Sequence, residues 1–392
     1  MSDPPRSATG WTERILMVRV AVNVEQLLHE APGGIGRYTA ELLRLLPAKG
    51  VEVTPFTARH ARDDVTRALR AHDLEGLDPV VLPLPAAVLY DAWHVLGVAG
   101  PARRVAPVDL LHAPSPAVPP TGGLPLVVTM HDAAPLVMPD AFTRRGVRFH
   151  RQGFAAAAKR ARLVIAVSQF CADEVVAHTA IPRERIRVVH NGVDRERATA
   201  EAVRKARLIY AIDDQPYVFW AGTFQPRKNV RVLLDAFSHL DVGAVPHRLV
   251  LAGPPGWKPD DADAEVARGL GDRVRLLGPV HREQLFPLFA GADLYAFPSR
   301  HEGFGIPVLE AMAQETPVLC SDIPALREVA GDAARFVASD DVDAWIAALT
   351  DLLTDPGARA ALVAAGSARV AGYSWERCAR ETAEMYREAL NG

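Results

Sequence analysis

Between positions 299 and 313 the chain reads SRHEGFGIPVLEAMA, directly after a short apolar run, residues 294–297, that is typical of a buried strand. Pro307 suits the first turn of a helix, so a strand, a glycine-rich turn and a helix are predicted in this order. Gly303 and Gly305 let the backbone come close to a ligand, and their amides lie at the positive end of the predicted helix. This stretch therefore predicts a binding site for anionic oxygen at the end of a strand.

Two carboxylates accompany that turn. Glu302 precedes the predicted helix, and Glu310 lies eight residues further on, inside the first turns. Both can face one cleft and accept hydrogen bonds from hydroxyl groups, as a sugar and a ribose would require. Isolated glutamates are more often solvated surface residues, but here the turn glycines, the proline and both acids occur in one order. The pattern favours a functional site over a chance arrangement.

Short β-branched runs alternate with helical stretches along the whole chain, which indicates parallel sheets with crossover helices. The predicted strands form two series: residues 17–22, 51–55, 110–112, 126–129, 163–167 and 186–189, then residues 217–221, 248–252, 274–277, 294–297, 318–321 and 334–336. The predicted helices include residues 38–46, 151–160, 230–237 and 374–390. A charged, helix-prone connector, residues 194–214, separates the two series. Two such series predict an α/β protein of two doubly wound domains, with ligands at the carboxyl ends of the strands.

The overall composition excludes several classes of protein. A chain of 392 residues with 49% hydrophobic residues can bury two cores, and 44 basic against 47 acidic residues argue against a nucleic-acid binder. The three cysteines match no metal-ligand spacing, which indicates a reducing compartment. No apolar run approaches the length of a membrane span, and residues 1–12 lack the apolar core of a signal peptide. A cytoplasmic protein is expected.

The stretch from 299 to 313 resembles the E-x7-E motif of glycosyltransferase family four, which comprises retaining enzymes of GT-B fold. The resemblance covers nearly the whole chain and includes the strings GGIGRY at 33–38, VIAVS at 164–168, VHNGVD at 189–194, AGTFQPRKN at 221–229 and LGPV at 277–280. It implies two Rossmann-like domains that face each other across a cleft. The first would span residues 14–195, completed by the last helix at 374–392, and the second, which binds the nucleotide sugar, would span residues 215–373. Two such domains are expected to close on the donor and expel water.

The resemblance also implies roles for the residues around the turn. Glu302 would contact hydroxyls of the transferred sugar and is not assigned as a nucleophile. The backbone of Gly303, Phe304 and Gly305 would line the sugar and phosphate, and Glu310 would bind the ribose hydroxyls.

Arg227 and Lys228 follow a predicted strand, where a cation can meet a diphosphate that leaves with negative charge. An Arg-Lys pair in a loop is usually a solvated feature, but Lys228 matches the family's phosphate-binding lysine. Many relatives carry a second basic residue directly after the glycine, where this chain has Thr223. Arg227 is the alternative source of that second charge.

The first half contributes further site residues by the same resemblance. Gly34 and Gly36, in a predicted strand-to-helix connection, would approach the donor phosphates and the acceptor. His131, at the carboxyl end of a predicted strand, would lie near the transferred sugar, although a histidine there can also belong to the core. His112 ends another strand, and its reading as a cleft residue or a core residue stays open.

The resemblance implies a retaining hexosyltransferase that moves a sugar from a nucleotide diphosphate sugar to an acceptor hydroxyl. GDP-mannose is the favoured donor and UDP-glucose the second choice; a GT-B nucleotide-sugar epimerase or another non-transferring relative is the alternative. No cofactor or metal is expected, because the short acidic triplets at 261–263 and 341–343 do not directly follow cleft strands.

The acceptor, a carbohydrate or a lipid-linked molecule, would be recognised by residues 82–104 and 139–152. A basic run between positions 144 and 162 is either a solvated helix face or a contact surface for an anionic acceptor at the membrane.

Overall fold

The first domain is built on a sheet of seven parallel strands. The computed structural model describes residues 17–29, 33–212, 214–256 and 266–391. The strands lie in the order β3-β2-β1-β4-β5-β6-β7, and their bounds are β1 Val18–Asn23, β2 Val51–Thr57, β3 Val80–Val81, β4 Leu110–Ala113, β5 Leu126–Met130, β6 Leu163–Ala166 and β7 Ile186–Val188. The helices of this domain are α1 Gly33–Leu45, α2 Arg62–Arg70, α3 Ala86–Asp91, α4 Ala102–Val105, α5 Ala134–Val137, α6 Arg144–Arg160 and α7 Gln169–His178.

The central strands of this sheet are buried on both faces, because helices cover them on either side. All residues of β5 and β6 are buried, which explains their continuous apolar sequence. The strand order reverses between β1 and β4, which pair in parallel. Ligands of doubly wound sheets bind outside the carboxyl ends of the strands at such a point.

The second domain contains a parallel sheet of six strands in the order β10-β9-β8-β11-β12-β13. The bounds are β8 Tyr217–Ala221, β9 Arg248–Ala252, β10 Val274–Gly278, β11 Leu294–Phe297, β12 Val318–Ser321 and β13 Arg335–Val337. A connecting helix, α8 Ala200–Ile209, precedes the sheet. The helices of the second domain are α9 Val230–His239, α10 Arg282–Ala290, α11 Ile306–Ala313, α12 Pro324–Ala330, α13 Val342–Thr354 and α14 Pro356–Val370. The order reverses between β8 and β11, so the loops that follow these two strands meet at the switch point.

The chain crosses between the domains twice, and the two crossings touch. After β7 the chain passes Gly192 and enters α8, which packs against α10 of the second domain. The last helix, α15 Trp375–Asn391, returns to pack on α1 and β5 of the first domain. A Cβ atom on Gly192 would lie 2.1 Å from the backbone nitrogen of Trp375, so only glycine allows this approach.

The predicted strands agree with the structure to within about two residues at each end, and among the strands of the described residues only the two-residue β3 was not predicted. Two helices begin earlier than predicted: α1 starts at Gly33 instead of residue 38, and α6 at Arg144 instead of residue 151. Because glycine has a low helix propensity, the sequence predicts a start of α1 that is too late in the chain. Tertiary packing stabilises the helix, because Tyr38, Leu42 and Leu43 are buried in the core.

Within the described part of the chain, none of the helices combines the length and the apolar character that a bilayer span requires.

Candidate active site

The carboxylate of Glu302 lies between two cations beyond the carboxyl ends of β8 and β11. Lys228 Nζ donates to Glu302 Oε1 at 2.6 Å, and Arg227 Nη1 donates to Oε2 at 3.3 Å. Burial raises the pKa of Glu302, but the attraction of Lys228 and Arg227 outweighs this and lowers the pKa to about 2. Glu302 is therefore ionised at neutral pH and engaged on both oxygens.

The loops that carry these residues are joined through their backbones. The amide of Arg300 donates to the carbonyl of Arg227 at 2.8 Å, which holds the loop after β11 against the loop after β8. Lys228 ends a short 3-10 helix and is followed by Asn229 in the left-handed region, a conformation that asparagine tolerates. Burial lowers the pKa of the Lys228 ammonium, and its contact with Glu302 opposes this effect. Two cations around one carboxylate leave a positive potential that suits an anionic ligand.

Two helix N-termini converge near this cluster from opposite domains. Helix α11 begins after Gly305, whose φ of +103° favours glycine, and a Cβ there would lie 2.6 Å from Leu326. Helix α1 begins at the glycine-rich turn that contains Gly34, and a Cβ on Gly34 would lie 3.6 Å from Cδ1 of Ile306 at the start of α11. The first amides of a helix have no intrahelical acceptors and carry partial positive charge, so this convergence suits phosphate oxygens.

Gly34 and Gly36 lie within the first turn of α1, where a loop before the helix was predicted. The prediction of a loop was wrong, for the reason given above. The amides at the junction with the second domain therefore belong to a helix N-terminus and not to a loop.

Glu310 is buried in the second turn of α11. Its side chain accepts no hydrogen bond from the residues described in the structure. Burial raises the pKa of this carboxyl, Arg37 opposes the shift, and Asp194 adds to it. A buried carboxylate without donors is available to hydroxyl groups of a ligand.

His131 follows β5, and its ring packs edge-on against the ring of Tyr38 with a centroid separation of 5.0 Å. Its Nε2 donates to the carbonyl oxygen of Pro114 at 3.0 Å, since a carbonyl can only accept, and Nδ1 is left as an acceptor. Burial lowers the pKa of His131 to about 4, so the ring is neutral at physiological pH. The backbone of His131 lies against the turn that follows Glu302: a Cβ on Gly303 would be only 1.6 Å from the carbonyl oxygen of His131.

The side chain of Phe304 is buried among aromatic rings. Its ring packs against the rings of His190 and Tyr373, each with a centroid separation of 5.9 Å. Phe304 therefore packs near the two connections between the domains, and only its backbone is left for the predicted contact with the donor.

Several residues whose roles the sequence does not decide have structural roles. His112 is buried in the core, where Nε2 lies 2.9 Å from Thr129 Oγ1 and Nδ1 lies 2.7 Å from the hydroxyl of Tyr386, so the reading as a cleft residue was wrong. Asp341 caps α13 by accepting from the amide of Ala344. The other acidic triplet, residues 261–263, lies outside the described residues.

The basic run has a mixed environment. Arg144, Arg145, Arg148 and Arg151 are exposed, as a solvated face requires. Arg160 does not belong to that face, because its guanidinium donates to the carbonyls of Val118 and Trp93.

Sequence reasoning assigned no role to three residues that join the domains at the site: Ser168, Glu174 and Glu328. Ser168 was noticed only as part of the string at 164–168. The contacts of these residues depend on how the two domains meet, and no local pattern encodes that.

Two facing doubly wound domains with this charged cluster beside their junction are the architecture of the GT-B fold. Family comparisons agree: the family model described as Glycosyltransferase Family 4 matches residues 32–197, and the one described as Glycosyl transferases group 1 matches residues 215–355. The chain belongs to glycosyltransferase family 4.

Similar proteins come from several bacteria. O-antigen chain mannosyltransferase B of Escherichia coli is 34% identical over 67% of this chain and 70% of its own length. A D-inositol 3-phosphate glycosyltransferase of Xylanimonas cellulosilytica is 30% identical over 91% of this chain and 92% of its own length.

Two solved structures share the fold. Anabaena Alr3699/HepE in complex with UDP and glucose has a TM-score of 0.72 at 19% identity and covers 95% of this chain and 100% of its own. WaaG, a glycosyltransferase involved in lipopolysaccharide biosynthesis, has a TM-score of 0.71 at 20% identity and covers 94% of this chain and 99% of its own. At these identities the likeness concerns the fold alone.

Proposed function

We propose that this enzyme moves a hexosyl group, with mannosyl favoured, from a nucleotide diphosphate sugar to an acceptor hydroxyl with retention of the anomeric configuration. The observation that carries the proposal is the Lys228–Glu302–Arg227 cluster beside the convergent N-termini of α1 and α11. The cations and amides would bind the diphosphate and stabilise the charge that grows on it as it leaves.

The ionisation and the contacts of Glu302 and His131 support a mechanism without a protein nucleophile. Glu302 is a weak nucleophile, because both of its oxygens are bound by cations and its pKa is about 2. His131 is neutral and offers Nδ1 as an acceptor for a sugar hydroxyl. The departing phosphate oxygen then accepts the proton of the incoming hydroxyl on the same face of the sugar, which gives retention.

GDP-mannose is the proposed donor, with a UDP-hexose as the second choice. The similar E. coli protein is named a mannosyltransferase, whereas HepE was solved with UDP and glucose. The test is a screen of nucleotide release from GDP-mannose, UDP-glucose and related donors, followed by acceptor trials with the preferred donor. Proton NMR of the product then reports the anomeric configuration. Nucleotide release from none of the donors, or an inverted product, would contradict the proposal.

We also propose that the acceptor is a carbohydrate or a lipid-linked molecule that the enzyme meets at the inner face of the membrane. The two segments assigned to the acceptor pack together, since the rings of Tyr90 and Phe149 lie 5.6 Å apart. Their surface combines exposed apolar and cationic side chains: Val88, Val95, Leu96, Val98, Arg144, Arg148 and Arg151. Such a surface suits anionic lipid. Equal sedimentation with neutral and anionic vesicles would contradict this part.

Replacement of Glu310 by alanine is expected to raise the donor KM by about tenfold to a hundredfold and to change kcat by less than about threefold. The carboxylate would accept ribose hydrogen bonds that are present both before and during the reaction, and such charge-assisted bonds contribute about 1.5–3 kcal/mol. Steady-state kinetics at varied donor concentration measure the effect. Glu75→Ala, at an exposed position, is the matched control. A fall in kcat with unchanged KM would place Glu310 at the reacting centre instead.

Catalysis is expected to continue without a divalent metal. The proposed diphosphate site presents the cations Lys228 and Arg227, which would repel a metal ion and make its charge redundant. The initial rate after treatment with excess EDTA and desalting should stay within about twofold of the untreated rate. A loss of more than about tenfold that Mg²⁺ restores, equal to roughly 1.4 kcal/mol of barrier, would overturn this assignment.

A further inference from the structure

The residue before Glu302 is held by the other domain. His301 Nε2 lies 2.7 Å from Oε1 of Glu174, which belongs to α7 of the first domain. Both side chains are buried, so little water competes with this contact. Burial lowers the pKa of His301, but the contact with Glu174 outweighs it and raises the pKa overall. The pair is therefore a buried hydrogen-bonded contact across the domain junction.

The residue after Glu302 is held by the same helix. Ser168, the N-cap of α7, donates its hydroxyl proton to the carbonyl of Gly303 at 2.5 Å. The same oxygen accepts from the amide of Cys171 at 2.9 Å, so one hydroxyl both caps α7 and binds the turn of the second domain.

The N-terminus of α7 is also fixed from the second domain. The carboxylate of Glu328, on α12, accepts from the amides of Gln169 and Phe170 at 2.7 and 2.9 Å, and its Oε1 lies 3.0 Å from Nε2 of His190. Burial raises the pKa of Glu328, but these donors outweigh that effect and lower it. A charged group of the second domain thus satisfies two amides of α7 that lack intrahelical acceptors.

The geometry points to Ser168 and Glu174 as positioning residues for Glu302, and we propose that they aim its carboxylate only when the two domains are in contact. The residues on either side of Glu302 are bound to the first domain, His301 through its side chain and Gly303 through its carbonyl, whereas the carboxylate is bound to Lys228 and Arg227 of the second. Separation of the domains would release the imidazole of His301 and the carbonyl of Gly303 and leave only the contacts within the second domain. Closure of the domains would therefore also set the geometry of the sugar site. This inference rests on the proposed function, because it assigns Glu302 to the sugar.

The test compares Glu174→Ala, Glu174→Gln and Ser168→Ala with the unaltered enzyme. Both alanine variants are expected to lower kcat about tenfold or more while the affinity for GDP or UDP, by calorimetry, changes less than about threefold. Glutamine at 174 can still accept a hydrogen bond from His301, so it should restore a substantial part of kcat. Glu184→Gln, at an exposed position between α7 and β7, is the matched control.

A second readout does not depend on activity. Hydrogen exchange with saturating nucleotide should show faster exchange of the amides of residues 301–305 in the alanine variants, with the exchange of α9 unchanged. Unaltered kcat and unaltered exchange in both alanine variants would overturn the inference. Faster exchange throughout the chain would overturn it as well, because Ser168 and Glu174 would then serve general stability. If the unaltered enzyme releases nucleotide from no donor, the proposed function fails, and the exchange experiment still decides whether α7 holds the turn.

Discussion

Replacement of Lys228 by alanine is expected to lower kcat by about two to three orders of magnitude, with a smaller effect on the donor KM. In the unaltered enzyme the ammonium is buried, bound to Glu302 at 2.6 Å, and stacked over the ring of Phe297 at 4.9 Å. A preorganised charge in such a place stabilises a leaving group more than a bound substrate, because the negative charge grows in the transition state. Loss of one such electrostatic group typically costs about 2.7–4 kcal/mol of barrier.

The measurement is single-turnover and steady-state transfer with the preferred donor. Lys205→Ala, which removes an exposed lysine on α8, is the matched control and should leave both constants unchanged. Arg227→Ala is expected to have a smaller effect than Lys228→Ala, because Arg227 shares its Nη1 between Glu302 and the carbonyl of His301. Turnover within about threefold of the unaltered rate in the Lys228 variant would remove Lys228 from the assigned phosphate site.

Local sequence pattern was sufficient to predict most of the fold. The buried strands of parallel sheets read as short continuous apolar runs, so β8 and β11 could be bounded to the residue. The two-residue β3 carries too little pattern to be recognised, and the glycine-rich start of α1 reads as a loop because propensity and packing disagree there. Helix starts are therefore predicted less well than strands in this chain.

The site could be predicted only in part, for a different reason. Lys228 and Glu302 follow strands of one sheet, and their meeting at the switch point follows from topology. The contacts of Ser168, Glu174 and Glu328 join separate domains, so they depend on a placement that neither periodicity nor spacing encodes. Strand-end position alone also does not decide the surroundings of a residue: His131 and His112 each lie at a strand end, yet the backbone of His131 contacts Gly303 of the second domain, whereas the His112 side chain is bound in the core by Thr129 and Tyr386.

Gly303→Ala is expected to lower transfer by about a hundredfold or more while the protein remains folded. A Cβ atom at this position would lie 1.6 Å from the carbonyl oxygen of His131 and 2.9 Å from Cβ of Asp132. No rotamer change can relieve a clash between a Cβ and a backbone oxygen. Because Gly303 and His131 belong to different domains, separation of the domains relieves the clash without disturbing either core.

The variant should consequently retain nucleotide binding and lose the contact between the domains that, in the proposed mechanism, places His131 beside the sugar. Three measurements separate these effects: kcat for transfer, the Kd for nucleotide by calorimetry, and small-angle scattering with and without nucleotide. The expected result is a low kcat, a Kd within about fivefold of the unaltered value, and no compaction on nucleotide binding. Gly76→Ala is the matched control, because a Cβ at this exposed position would meet no atom within 4 Å. Transfer within about threefold of the unaltered rate would show that catalysis does not require the contact between Gly303 and His131, since that contact tolerates no added carbon atom.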